Sequence, residues 1–299
     1  MALEERVGQM FIWGINEPAL SSKSAEFIKK TNAGGVIIMG KHTLIEINNL
    51  TRQIKDLNQK IPLFIAVDKE VLMSNNFCQD VRKVTTSLKE NGVNLNFGIV
   101  GDIGWYPDSF IKPRTYADNP VDVSKRVKEA IDCSEGIFTT TKHFPGHGRT
   151  RLNSHFTVPE IDITYDDWLK TDTLPFKIAI NNDIDFIMFG HLIYKKIDSQ
   201  PTSLSKRFHQ ILRNDFKFKG LTITDDLGML EASGYQTEEV LKQAMEADND
   251  VLLYVNSNKE FFDIYQSAVK FVKNNRSLEE RINTNVKRIL ELKYKQKLR

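Results

Sequence analysis

A closed barrel of eight parallel strands alternating with helices, the (β/α)8 form of the α/β class, is the fold this sequence predicts, and three observations carry the prediction. Eight short apolar runs recur at similar intervals along the 299 residues. Segments of helical periodicity lie between them. Four runs end on ionisable residues, as strands do when their C-terminal ends open together onto one pocket. Alternation of strand and helix implies parallel strands, and eight units imply closure sooner than an open sheet.

Taken in order, the runs cover residues 9–15, 35–39, 63–68, 93–97, 138–143, 186–191, 221–225 and 251–255. The second is followed by an amphipathic helix over 44–57, and the third stops at Asp68. The stretch 71–90 is the least regular and accommodates a single helix, about 79–89. A helix over 121–131 precedes the fifth run, which ends in Lys142 and His143. A helix over 174–180 leads into the run ending at His191, and the next ends at Asp225. A helix over 237–247 precedes the last strand, and 278–298 reads as a closing helix. No Gly/Ser linker or low-complexity tract divides the chain, so residues 1–299 read as one domain.

A hydrophobic content of 40% suffices for a full core, and a net charge of +2 with scattered lysines leaves no nucleic-acid footprint. Cys78 and Cys133 are too few for a disulfide framework and lack CxxC spacing, which predicts buried thiols in a reducing compartment. The N-terminus lacks the basic-then-apolar order of a signal peptide. No apolar run approaches the roughly 20 residues of a membrane helix. A cytoplasmic monomer without cofactor, meeting a small molecule and neither nucleic acid nor membrane, is the expectation.

The chemistry concentrates in Thr141-Lys142-His143-Phe144-Pro145-Gly146-His147-Gly148, followed by Asn153-Ser154-His155. One amine and three imidazoles sit at a strand end and in the loop after it, where a barrel enzyme presents groups to a ligand. Three imidazoles could in principle hold zinc. Their spacing matches no HExxH helix, and Pro145, Gly146 and Gly148 indicate a turn, so no metal is expected. In Asp225-Asp226 the first carboxylate ends an apolar run and the second suits a helix cap.

Lys142 to Gly148 with Ser154-His155, and Ile223-Thr224-Asp225-Asp226-Leu227-Gly228-Met229, resemble glycoside hydrolase family 3, in particular its single-domain bacterial β-N-acetylglucosaminidases. Supporting pieces in the same order are Val7-Gly8-Gln9-Met10-Phe11, Val67-Asp68-Lys69-Glu70, Gly92 to Phe97, Arg114-Thr115-Tyr116, Gly190-His191-Leu192 and Pro201 to Ser205. The resemblance implies a retaining exo-glycosidase that removes a terminal β-linked N-acetylglucosamine from a glycoside such as a muropeptide in the cytoplasm. It implies Asp225 as nucleophile and His155, on the loop, as acid/base, with the residue two before it, here Asn153, as its partner. Asp68, Arg114, Lys142 and His143 are implied as sugar contacts. Imidazole titrates near neutrality, which suits proton exchange there.

Three positions depart from the pattern. Asn153 stands where the family has an aspartate; its oxygen can still accept from an imidazole but brings no charge. Val71-Leu72-Met73-Ser74-Asn75-Asn76 replaces a Gly-Gly-Arg stretch, so a sugar-binding arginine has no counterpart, and Arg82 is not assigned its role. Asp248 stands where glycine is usual. The first two departures predict reduced activity and leave open a non-catalytic sugar-binding barrel, whereas Asp248 alters only the turn into the last strand; a histidine acid/base, which repels phosphate less than a carboxylate does, also leaves open a glycoside phosphorylase.

Overall fold

The computed structural model describes residues 1–57 and 59–295. Strands β1 (Phe11–Ile15), β2 (Gly35–Ile38), β3 (Phe64–Val67), β4 (Leu95–Val100), β5 (Phe138–Phe144), β7 (Phe186–Phe189), β9 (Leu221–Thr224) and β10 (Leu252–Tyr254) form one parallel sheet. The short β6 (Glu160–Ile161) and β8 (Ile193–Tyr194) pair separately. In the large sheet the order is β10-β1-β2-β3-β4-β5-β7-β9, and the bridge between Ile223 and Val251 joins its two ends. The sheet therefore curls into the expected barrel.

All eight runs are strands, with shifted ends. The first starts at Phe11 because residues Leu3–Gln9 coil into a helix, and the fourth continues to Val100, three residues beyond its expected end at 97. The expected helices are Leu44–Lys55, Phe77–Glu90, Pro120–Cys133, Leu174–Asn181, Thr237–Glu246 and Arg276–Lys295; positions 296–298 of the closing helix lie outside the described residues. Local chemistry sets the starts. Thr43 and Glu46 exchange bonds in a capping box, and Asn119 accepts from the Asp122 N–H ahead of a helix that opens on Pro120.

Large side chains fill the barrel floor. Phe64, Phe138 and Phe186, each the first residue of its strand, meet edge to face; the Phe64 and Phe186 centroids are 5.3 Å apart. Since β3 and β7 are not neighbours, those two rings meet across the interior. Lys293 of the closing helix reaches the same floor, with Nζ 4.7 Å from the Phe64 ring and donating to Gln9 Oε1 at 2.8 Å and Gly34 O at 2.7 Å.

The cysteines correct the sequence expectation. Cys78 on Phe77–Glu90 and Cys133 at the end of Pro120–Cys133 form a disulfide, with Cα atoms 5.5 Å apart, and are not free thiols. Asp248 adopts φ +82°, the left-handed conformation that favours glycine. Among the described residues no helix is long and apolar enough to cross a membrane.

Candidate active site

Lys142, 1% exposed near the end of β5, donates to Asp68 Oδ1 at 2.5 Å, just past β3, and lies 2.8 Å from Glu70 Oε1. Glu70 also accepts from Arg114, through Nη2 at 2.5 Å and Nε at 3.0 Å. Four of these charges thus interlock, two of each sign. Burial pushes the Glu70 carboxyl up, but Arg114 and Lys142 outweigh it and hold it down at about 2. Burial pulls Lys142 down, and the Asp68 and Glu70 charges more than restore it, so the ammonium persists.

His143, the next residue, is oriented by Asp102. This carboxylate, fully buried two residues past β4, faces His143 Nδ1 from Oδ2 at 2.6 Å. A proton on Nδ1 leaves Nε2 as an acceptor, which matches the Arg114 Nη2 donor 3.3 Å away. Arg114 and His143 therefore converge on the side of the site where Asp68 and Lys142 lie.

Asp225 follows β9. Its backbone N–H donates to Phe189 O at 2.8 Å, and its own Oδ1 accepts from the Asp226 N–H at 2.8 Å. Burial raises its pKa, yet His143, His191 and Lys142 dominate and leave it below the ordinary carboxylate range. It is thus an ionised carboxylate beside the sugar-binding candidates. Asp226 turns away: its Oδ1 accepts from the Gly228 N–H, where helix Gly228–Ala232 begins, and from the Val255 N–H. Burial raises this second carboxyl to about 6. The cap position of that helix is Leu227, without a side-chain bond, so Asp226 forms an Asx turn just ahead of the helix and is not its cap.

Sequence reasoning named His191 only as a strand-end group, and the structure gives it a support role. Its Nε2 lies 2.9 Å from Asp226 O and its Nδ1 2.7 Å from Ser203 Oγ, so it ties the Asp225 segment to the 202–204 turn. Burial lowers its pKa, while the Asp225 carboxylate raises it and the His155 imidazole lowers it. Asp225 and His155 are therefore both within electrostatic reach of one buried ring.

The loop after β5 is rooted tightly. Trp168 Nε1 donates to Pro145 O at 3.0 Å, and the Tyr194 hydroxyl donates to Gly146 O at 2.6 Å. Gly148 packs so closely that a Cβ would sit 1.8 Å from Ile103 O. His147 is buried and hydrogen-bonded to Ser154 at 2.9 Å, while His155 is exposed with its ring edge-on to Phe110, centroids 5.7 Å apart. The His143 and His147 rings hydrogen-bond to Asp102 and Ser154 respectively, and Phe110 lies against both the His147 and the His155 rings.

Asn153 does not do what the spacing suggested. Its Oδ1 accepts from the backbone N–H of His155 at 2.9 Å, an Asx turn, and its contact is with the main chain and not the ring. Val71 and Met73 pack against the apolar cluster where the family pattern has Gly-Gly-Arg, Leu72 is 58% exposed, and Arg82 points outward from its helix. No side chain takes over the missing arginine's place among the contacts described above. Glu70, Asp102 and Ser154 were missed as site-supporting residues. Asp102, two residues past β4, would have come into view had the fourth run been carried to Val100.

Known proteins are similar to this chain in sequence and fold. The model of the glycosyl hydrolase family 3 N terminal domain matches residues 71–292. A beta-hexosaminidase of Actinobacillus pleuropneumoniae serotype 5b is 30% identical over 283 residues, covering 83% of this chain and 81% of the relative. Among solved structures, a beta-N-acetylhexosaminidase from Beutenbergia cavernae superposes with a TM-score of 0.87 at 22% identity, covering 98% of each chain. A family 3 beta-N-acetylglucosaminidase from Paenibacillus gives 0.88 at 24% identity, covering 99% of this chain and 63% of that longer one. The barrel, the strand-end charges and these matches agree: the chain belongs to glycosyl hydrolase family 3.

Proposed function

We propose that the protein is a retaining exo-β-N-acetylhexosaminidase with Asp225 as nucleophile and His155 as acid/base. The observation that carries the reading is Asp225: a carboxylate at a barrel strand end, kept ionised by His143, His191 and Lys142, beside a cluster suited to sugar hydroxyls. The name shared by the curated relatives supports the acetamido sugar. In the first step an Asp225 oxygen bonds to the anomeric carbon while the glycosidic C–O bond breaks, and the leaving oxygen takes the proton from the His155 imidazolium. In the second, neutral His155 takes a proton from water, whose oxygen bonds to the anomeric carbon as the Asp225 ester breaks.

Each sugar hydroxyl both donates and accepts, which the Asp68 carboxylate together with Lys142, Arg114 and the His143 Nε2 satisfies. A terminal N-acetylglucosamine on a muropeptide-like glycoside is the proposed substrate, bound by a monomer. The Cys78–Cys133 bond supports a compartment oxidising enough to keep it, in place of the reducing cytoplasm first expected.

A chromogenic β-N-acetylglucosaminide tests the reading. The wild type is expected to hydrolyse it, a fluorinated glycosyl analogue to label Asp225, and Asp225→Ala to lose on the order of 10⁴-fold in kcat. Binding of N-acetylglucosamine without turnover or labelling would instead establish a sugar-binding barrel.

A further inference from the structure

One buried carboxylate stands between the sugar-binding face and the loop after β5. Asp102 is 0% exposed, and its two oxygens serve different masters. Oδ2 holds His143 Nδ1 at 2.6 Å; Oδ1 accepts from the backbone N–H of His147 at 2.6 Å and from that of His143 at 3.3 Å. Its own pKa is pushed up by burial and then brought below the ordinary range by His143 and His147, so it acts as an anion.

From His147 the chain of contacts runs outward. The ring is 1% exposed, and its Nε2 lies 2.9 Å from Ser154 Oγ, while Nδ1 has no partner. Burial takes its pKa down to about 4, so the imidazole is neutral near pH 7 and carries one N–H. Placing that hydrogen on Nε2, donated to Ser154, leaves only a lone pair unpartnered at Nδ1; the opposite tautomer would bury an unpaired N–H, which folded proteins rarely tolerate. Ser154, 5% exposed, directly precedes His155, whose N–H is held by Asn153. Hydrogen bonds therefore link Arg114 and His143 through Asp102 and His147 to Ser154, the residue that precedes His155 in the chain.

We infer that Asp102, His147 and Ser154 form a clasp that positions His155 for proton transfer and ties it to the residue that reads the sugar. The inference rests on His155 being the acid/base. None of the three touches substrate; they are positioning residues. The clasp answers a need specific to this chain, because Asn153 holds only the backbone of His155 and no carboxylate partners its ring in the contacts described above. With the loop root fixed by Trp168, Tyr194 and the close approach of Gly148 to Ile103, Ser154 is where the buried network hands over to the exposed segment.

Leaving-group dependence separates positioning from mere structure, because a departing phenol of low pKa leaves without protonation and one of high pKa does not. The probes are 2,4-dinitrophenyl and phenyl β-N-acetylglucosaminides, compared by kcat/KM, which reports the glycosylation step. Ser154→Ala is expected to lower kcat/KM about 10- to 100-fold for the phenyl glycoside and by less than about threefold for the dinitrophenyl one, with Ser154→Thr restoring most of the loss. In a His155→Ala background, adding Ser154→Ala is expected to cost nothing further, since the serine acts only through that imidazole.

Asp102→Asn keeps the shape but offers an N–H to His143 Nδ1, which forces the other tautomer and turns Nε2 into a donor facing Arg114. This variant is expected to raise KM about tenfold as well as lowering kcat. Equal losses on the two glycosides for Ser154→Ala, an additive loss in the double variant, or an unchanged KM in Asp102→Asn would overturn the clasp. His155→Ala alone is the separate control: if it shows no leaving-group dependence, the acid/base reading fails and the clasp falls with it; if it does and Ser154→Ala does not, only the clasp fails.

Discussion

Asn153 shows how one atom's partner changes an expectation. Spacing alone places it beside the His155 ring, where replacing a carboxylate by an amide in a comparable dyad costs about 10⁴-fold. In the folded loop its oxygen is spent on the His155 N–H at 2.9 Å. An aspartate would keep that bond and add a nearby charge without being aimed at the imidazole. Asn153→Asp is therefore expected to raise kcat on the aryl glycoside by about tenfold or less, not by the 10²- to 10⁴-fold that a ring-contacting dyad would restore. Steady-state rates at saturating substrate decide between the two. The same scale explains what was legible in the site: Asp68, Lys142, His143 and Asp225 end apolar runs and announce themselves, whereas Glu70 and Ser154 matter through neighbours 44 and 7 residues away.

At the scale of elements, two features modify the helical shell. The Cys78–Cys133 bond links helices Phe77–Glu90 and Pro120–Cys133 across a separation of 55 residues, a loop whose closure in the unfolded chain corresponds to about 4 kcal/mol. The double variant Cys78→Ala/Cys133→Ala is expected to melt about 6 °C lower than the oxidised protein, and dithiothreitol should lower the Tm of the wild type but not of the variant. Asp248 sits at φ +82° in the turn before β10, with its carboxyl pushed up by burial and its Arg288 partner 3.7 Å away. Asp248→Gly relieves the backbone and is expected to stabilise by about 0.5–1 kcal/mol, read as a Tm rise of about 1 °C. No run of letters announced the disulfide, because pairing needs two helices to be brought side by side.

Across the whole molecule, Lys293 closes the barrel at the strand starts, opposite the end that carries the ionisable residues. Burial brings the Lys293 pKa down to about 7, below that of the same lysine in the unfolded chain. Between about pH 7 and 10 the unfolded chain then binds more protons than the folded one, so stability should increase as pH rises through that window and be lowest once both states are protonated. Melting curves from pH 6.5 to 9.5 are expected to show this slope in the wild type. Lys293→Met, which removes the titrating group and leaves an unbranched side chain over Phe64, should show a flatter one; an identical slope would assign the effect to other groups.

By itself the sequence determined the barrel and the identity of its strand-end chemistry, because burying eight parallel strands on both faces demands apolar runs that end abruptly, and an ionisable residue at such an end has one direction to face. It also determined which family motifs are present and which are altered. Only the tertiary structure decided that Asn153 grips a backbone and not a ring, that Cys78 meets Cys133, and that Asp102 joins His143 to His147 of the loop after β5. Those outcomes depend on angstrom-scale distances between segments far apart in the chain, which apolar periodicity and motif spacing do not encode.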